Sequence, residues 1–534
     1  MTGWNYARTW TLIAREVPDR DAIVCGDRRV TFGELDTRAE RLAAALSAEG
    51  VGPGDTVAIS LTNRPEYLET FFAALKLGAA PVNLNYMYVA DELAHVIRDC
   101  DAAAVVCHVD RRAAVAAALD AVGGRRLVLA VDDDYEAALD AAAPGDSRVA
   151  REPRGDDRMF LYTGGTTGRP KGVVWRVEDY YLQGWEAARP GTTPPDPTTA
   201  MRAGKRAGTL LPASPLVHAT ALGMATATLN GGGTVVLRDD QRLEAAALWQ
   251  LVAGERVEVM SIVGETFARP LLDALDGDAA IAALDLSSLR AIVSSGMVFT
   301  ATSKAGLLDR LPGLTIVDTL GASEALITRS EMTRDGTAPP STFAARDNVR
   351  VLTDDNRDVL PGSDEDGVLA VAGRLPLGYH HDPDATARMF REVDGVRYAT
   401  PGDRARVHAD GRIELLGRGS ACINTGGEKV YPEEVEEVLR RHPAVLDAAV
   451  VGVPDERWGE MVTALIELAP NGSDGPDDAT LLDHTLREHA RASLAGYKVP
   501  KRFFRVERVD HTVAGKPDYR RLRTRAAELA GSRD

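Results

Sequence analysis

The chain has 534 residues and a mass of 57.2 kDa, enough at roughly 150 residues per domain for about three to four packing units. With 45% hydrophobic residues, 26% charged residues, 49 Gly and 28 Pro the composition is that of a folded globular protein and excludes a disordered, low-complexity or collagen-like chain. Its 62 basic and 79 acidic residues give a net charge of −17, against a mainly electrostatic binder of nucleic acid or of an anionic membrane, since both need a basic face.

In chain order, the opening stretch from Met1 carries charge throughout, with none of the continuous apolar core of a secretory signal, and no later stretch approaches a membrane span. The four cysteines, Cys25, Cys100, Cys107 and Cys422, form no CxxC and no cluster with histidine, so neither a disulfide framework nor a structural zinc site is expected. A cytoplasmic protein is the expectation. From Asp55 to Leu84 the sequence TVAIS reads as a strand. A helix follows with Leu68, Phe71, Phe72 and Leu75 at i, i+3, i+4 and i+7, and then a second strand, APVNL, to close a βαβ unit. Short apolar runs recur at Ala103 to Val106, Leu127 to Val131, Thr234 to Leu237, Val259 to Val263, Arg290 to Val293 and Leu314 to Val317. Runs without strict alternation belong to parallel sheets covered on both faces. Gly191 to Gly208, rich in Pro, Thr and Gly and without a period, reads as a loop.

After about Gly417 the texture changes. Pro432 at a first helical turn, Glu433 and Glu434 at its positive end, and buried Val435, Val438 and Leu439 predict a helix. Two strands (DAAVVGV and MVTALIEL), a helix near Leu481 to Ala492 and a strand RFFRVERV follow. The expected fold is α/β: a large N-terminal domain of stacked α/β subdomains, residues 1–417, plus a small mobile α+β C-terminal domain, residues 418–534.

The strongest chemical signal is LYTGGTTGRPKG, directly after the apolar strand MFLY. Thr163 to Gly168 holds three glycines and three threonines in a row, so backbone N–H groups and hydroxyls can converge on phosphate oxygens, with Lys171 as a point charge. It is not a Walker A loop, because Pro170 precedes the lysine and Gly172 follows it. Farther on come PLVHA with His218, VSSGMVF with Ser295, Gly296 and Met297, and LGASE with Gly321, Ala322, Ser323 and Glu324 after the strand LTIVD. An acidic residue at a strand end beside a phosphate loop suits Mg²⁺, which takes one or two carboxylates together with phosphate oxygens and water. TPGD, DGRIELLGRGS, NTGGEKVYP and AGKP complete the series. Read singly, Ser323–Glu324 would be a helix cap, Asp403 and Arg418 turn residues, and Lys516 a surface lysine.

Taken in order and spacing, these motifs resemble the adenylate-forming superfamily, which includes the acyl-CoA synthetases. The blocks GGTTGRPKGVVWR, GRGSACINTGGEKVYPEEVE and AGYKVP look most like actinobacterial enzymes for fatty or sterol-side-chain acids. The resemblance implies an AMP-forming acid–thiol ligase with ATP and CoA as cosubstrates and Mg²⁺ as cofactor. Thr163, Gly164, Gly165, Thr166, Thr167, Gly168 and Lys171 would clamp the ATP phosphates, with Glu324 and Thr163 as metal ligands. Gly321, Ala322 and Ser323 would border the α-phosphate, Asp403 the ribose, and Arg418 ribose or phosphate. His218, Ser295, Gly296 and Met297 would frame the acyl pocket, Ser420 the hinge, and Gly426 and Gly427 the CoA tunnel. Lys516 would reach the α-phosphate and the substrate carboxylate. Leu320, Met297 and His381 depart from the common pattern. They leave room for activation of nitrite for an arylamine; two further rivals are transfer to another acceptor such as a carrier protein or an amine, and a non-catalytic binding protein, against which stand Lys516, Glu324 and Asp403. The partners implied are thus small molecules only, with no nucleic acid and no membrane span, and a homodimer is left open.

Overall fold

The computed structural model describes residues 3–124, 126–142, 151–163, 169–189, 191–240, 242–296, 299–336, 342–344, 346–363, 365–418, 422–468, 479–510 and 518–531. The predicted βαβ unit is present as the strand Thr56–Ser60, the helix Pro65–Leu77 and the strand Ala80–Asn83. Pro65 opens the helix where an N–H would have no acceptor. Gly78 ends it at φ 73°, a left-handed conformation open to a residue without Cβ.

These two strands pair in parallel and belong to a seven-stranded sheet that also contains Arg158–Thr163, Lys171–Arg176, Ala102–His108, Leu127–Val131 and the short strand Gly378–Tyr379. A second sheet of eight strands is parallel through its middle: Thr315–Ala322, Ala291–Ser294, Val259–Ile262, Thr209–Pro212, Thr234–Leu237 and Asp21–Cys25. Antiparallel hairpin partners, Ala325–Met332 and Arg28–Thr31, close its two edges. One apolar cluster joins the two sheets, running through Val57, Leu161 and Val235 and the helix residues Trp10, Leu42, Phe71 and Phe72. Trp10 and Phe72 meet edge to face with ring centroids 5.2 Å apart, and each such buried side chain contributes about 1.5–3 kcal/mol.

The third sheet is different in kind. Its strands, among them Val349–Leu352, Asp366–Ala372, Phe390–Val393, Val396–Ala399, Asp403–Val407 and Arg412–Arg418, pair antiparallel throughout. Apart from Asp366–Ala372, which is buried through its middle, its strands are mostly short and mix buried with half-buried or exposed residues, so apolar runs did not announce them. The small C-terminal domain has a sheet of its own. The hairpin Ile423–Thr425 and Glu428–Val430 joins Gly459–Leu468, which pairs with Val445–Asp455 and, in parallel, with Arg502–Arg505. The helices Pro432–Arg440, Ala479–Ser493 and Tyr519–Gly531 pack on it. Val435, Val438 and Leu439 are buried as expected.

Two expectations are corrected. Gly191 to Gly208 is not all loop: Pro197–Arg202 is a short helix, because Asp196 accepts a hydrogen bond from the Thr199 N–H and Pro197 occupies its first turn. The strand expected over RFFRVERV stops at Arg505. Asp196→Ala should cost about 1 kcal/mol locally and so speed amide exchange of residues 199–202 about fivefold, read by hydrogen–deuterium exchange. An unchanged rate would show that the cap does not hold this turn.

Candidate active site

The strands Arg158–Thr163 and Lys171–Arg176 pair antiparallel with Thr163 opposite Lys171, so the glycine–threonine segment between them connects the arms of a hairpin. Gly164, Gly165, Thr166, Thr167 and Gly168 lie outside the described residues, as do Met297, Ser420 and Lys516, and so does the side chain of Arg418. Gly172 leaves space for a ring: a Cβ there would stand 2.7 Å from Cζ of Tyr162. The Tyr162 hydroxyl in turn donates to Asp99 Oδ2 at 2.5 Å.

Lys171 Nζ donates to Asp382 Oδ2 at 2.8 Å and lies 5.5 Å from the Tyr379 ring centroid. The hydrogen bond from Lys171 holds the Asp382 carboxyl below its usual value although burial opposes this. Tyr379 sits opposite Val173 in the sheet, and its hydroxyl donates to Glu324 Oε1 at 2.5 Å. Ser323 and Glu324 form the turn of the hairpin between Thr315–Ala322 and Ala325–Met332, so they do not cap a helix. The Ser323 carbonyl accepts from Trp175 Nε1 at 3.0 Å. Thr163, Lys171, Ser323 and Glu324 are thereby gathered around one strand, with Gly321 and Ala322 leading into the turn. Among the described residues no group of three or more His, Cys, Asp or Glu is placed to cage a metal. The buried Glu324 carboxylate, beside the Tyr379 hydroxyl, suits Mg²⁺, which takes one or two carboxylates and fills its shell with water and phosphate oxygens. Asp403 is buried at the start of its strand and is the register partner of Arg418 in the third sheet.

The other half of the site is held by two buried asparagines that the sequence did not single out. Asn63 Nδ2 donates to the carbonyls of Pro212 and Ser214 at 2.9 and 3.0 Å, and its Oδ1 accepts from the Leu216 N–H at 2.7 Å. Asn83 Nδ2 donates to the carbonyls of Tyr162 and Val217 at 3.0 and 2.8 Å, which ties the strand before Thr163 to the turn before His218. His218 precedes the helix Ala219–Asn230. Nearby, Ser294 Oγ accepts from the Gly264 N–H at 3.0 Å, and Ser295 Oγ donates to Thr220 Oγ1 at 2.9 Å.

The C-terminal hairpin docks on this frame. Gly427, at φ 89°, faces Val263 so closely that a Cβ would overlap Val263 Cγ1, while a Cβ on Gly296 would stand 3.8 Å from the Gly427 carbonyl oxygen. Gly426 donates its N–H to the Trp458 carbonyl, and a Cβ there would stand 3.0 Å from the Trp458 ring. His218 Nε2 and Glu428 Oε1 are 3.1 Å apart across the same junction. The predicted acyl-frame residues His218, Ser295 and Gly296 and the predicted tunnel residues Gly426 and Gly427 are therefore brought together. Tyr379, Asp382 and Glu428 are partners that sequence reasoning missed. Asp382–Pro383 carried a helix-start signal, but nothing local pointed to Lys171.

Burial pulls the His218 pKa down, and the Glu428 charge and hydrogen bond outweigh it, with Lys429 opposing, so that it is raised overall. A raised histidine pKa stabilises the docked hairpin fully below about pH 6.5 and loses that contribution as pH rises through the raised value. Amide protection factors of residues 424–430 should fall over that interval in the unaltered protein and stay flat in His218→Phe. A parallel fall in both would remove the pair from the docking.

Comparison with known proteins agrees with this arrangement. The AMP-binding enzyme profile matches residues 11–379, and the profile for the C-terminal domain of AMP-binding enzymes matches residues 434–516. The chain is 39% identical over 524 residues to a 3-oxocholest-4-en-26-oate–CoA ligase of Rhodococcus rhodochrous, covering 94% of this chain and 92% of that one. It is 36% identical to a medium-chain acyl-CoA ligase of Mycobacterium avium over 96% of both chains. Among solved structures, an o-succinylbenzoate CoA synthetase of Bacillus subtilis superposes with a TM-score of 0.78 at 24% identity, covering 96% of this chain and 97% of that one, a likeness of fold.

Proposed function

This chain belongs to the AMP-binding enzyme family, and from that premise we propose that it is an AMP-forming acid–thiol ligase acting on a carboxylic acid, ATP and CoA. A carboxylate oxygen attacks the α-phosphorus of ATP and pyrophosphate leaves. The thiol sulfur of CoA then attacks the acyl carbon of the adenylate, and AMP departs with the former carboxylate oxygen. No base is needed for the first step, since a carboxylic acid is ionised at neutral pH. The barrier is the approach of two anions and the charge that gathers on phosphorus, which positioned cations offset.

Within this function Lys171 is assigned to the terminal phosphates, reaching them from its tether on Asp382. Thr163 and Glu324 would hold Mg²⁺, which when bound neutralises charge on the phosphate oxygens. Asp403 is assigned to the ribose hydroxyls, Arg418 to ribose or phosphate, and Ser323 with Gly321 and Ala322 to the α-phosphate side. Lys516 is assigned to the first half-reaction only, delivered and withdrawn as the domain beyond residue 417 turns about Ser420. The second half-reaction is supported by one observation above the others: the turn of two glycines from the small domain docks against Val263 and Gly296 of the large one, so closely at Gly427 that a Cβ would overlap Val263. The identities of 36–39% to named CoA ligases over almost the whole chain favour CoA over a carrier protein, an amine or nitrite chemistry. Sterol-side-chain and medium-chain fatty acids are the proposed substrates, and the cytoplasm is the proposed compartment, supported by cysteines that are not joined in disulfides.

Pyrophosphate release measured against fatty, sterol-derived, aromatic and amino acids, and against nitrite with an arylamine, should select an apolar acid, with the acyl-CoA as product. Release with nitrite alone would overturn the reading. Lys516→Ala should lower pyrophosphate exchange by about 10² to 10³ while leaving thioester formation from supplied acyl-adenylate within about threefold. Equal loss in both assays would remove Lys516 from its assigned step.

A further inference from the structure

Lys498 is 1% exposed, and its ammonium sits between two carboxylates, 2.5 Å from Glu92 Oε1 and 2.6 Å from Glu434 Oε1. Glu434 and Lys498 belong to the small domain, whereas Glu92 opens the helix Ala90–Asp99 of the large one. Tyr88 and Tyr497 close the site, with the ammonium 5.0 and 5.7 Å from their ring centroids. A lysine charge this deep is tolerated only when paired. Both carboxylates stand in the first turn of a helix, where the dipole favours negative charge.

The helix that carries Glu92 also faces the nucleotide side. His95, one turn on, lies with Nε2 3.1 Å from the Pro170 carbonyl, and Asp99 accepts from Tyr162 beside Thr163. Glu92, His95 and Asp99 at i, i+3 and i+7 thus share one helix face, and this face touches the small domain at one end and the base of the phosphate loop at the other.

We propose that Lys498 is a positioning residue for the thioester-forming half-reaction: by bridging Glu92 and Glu434 it latches the domain orientation in which the Gly426–Gly427 turn meets Val263. The inference rests on the two-step ligase reading above. Rotation of the small domain carries Lys498 and Glu434 away from Glu92, so the contact exists in one orientation and is absent from the other. A buried ionic group of this kind adds orientation specificity more than stability. Burial pushes Glu434 up to about 7, against the lowering effect of Lys498 and Arg169, as suits two carboxylates facing one ammonium.

Glu92→Gln isolates the interdomain part of the contact. Glu92 Oε2 also accepts from the Val89 N–H at 3.1 Å, a cap that glutamine can keep. Three readouts are needed on the full chain: pyrophosphate exchange with ATP and acid, thioester formation from supplied acyl-adenylate and CoA, and hydrogen–deuterium exchange of residues 423–430. In Glu92→Gln we expect thioester formation to fall about tenfold or more, with pyrophosphate exchange within about twofold and faster amide exchange in the hairpin. Lys498→Met should do the same, and the double variant should be no worse than either single one, because one latch can be broken only once. A loss shared equally by both half-reactions, or hairpin exchange and thioester rates at the unaltered values, would overturn the proposal. If the unaltered enzyme forms adenylate but no CoA thioester while Glu92→Gln still loosens the hairpin, the latch stands and the choice of acceptor falls.

Discussion

Close approach of the Gly427 backbone to the Val263 side chain is the constraint on which the rest of the arrangement depends. No residue with a Cβ fits at Gly427 without overlapping Val263, and a Cβ on Gly296 would stand 3.5 Å from the same Val263 methyl and 3.8 Å from the Gly427 carbonyl oxygen. The hairpin that carries the two glycines is not free to sit elsewhere within its own domain, since Thr425 pairs with Gly459 and Gly426 donates to the Trp458 carbonyl. On the large-domain side the wall is equally fixed, by Asn63 and Asn83 satisfying buried backbone groups of the segment before His218. The contact therefore reports the placement of one whole domain on another.

Charge is handled locally. In a chain of net charge −17, three cations of this region are each tethered to a carboxylate: Lys171 to Asp382, His218 to Glu428, Lys498 to Glu92 and Glu434. Such a tether fixes position at a cost in desolvation, and it yields when a more strongly anionic group arrives. Lys171, partly exposed at the start of its strand, is the kind that can be shared with a ligand. Lys498, sealed by two tyrosines, is the kind that reads geometry.

Hydrogen bonds of single polar residues do the remaining alignment. Tyr379 links Glu324 to the strand of Lys171, and Trp175 links the same strand to Ser323. Both stand on strands of one sheet, so the Glu324 carboxylate and the Ser323 carbonyl are held by elements whose register the sheet itself sets.

The sequence by itself determined what depends on neighbours along the chain. Apolar periodicity placed the helix Pro65–Leu77, uninterrupted apolar runs placed the parallel strands, Pro432 and its glutamates placed the helix that follows the glycine hairpin, and the order of the motifs placed the chemistry. Capping by Asp196 was also local, yet was hidden within a run of Pro and Thr that read as loop. The antiparallel third sheet stayed hidden because most of its strands are short and mix buried residues with half-buried or exposed polar ones. Only the tertiary structure decided which distant groups meet. Asn63 and its acceptors are about 150 residues apart, Lys171 and Asp382 are 211, and Lys498 and Glu92 are 406. A lone asparagine or lysine carries no periodic signal, and its partner is chosen by how sheets and domains stack, which is settled by burial of surface contributed from the whole chain.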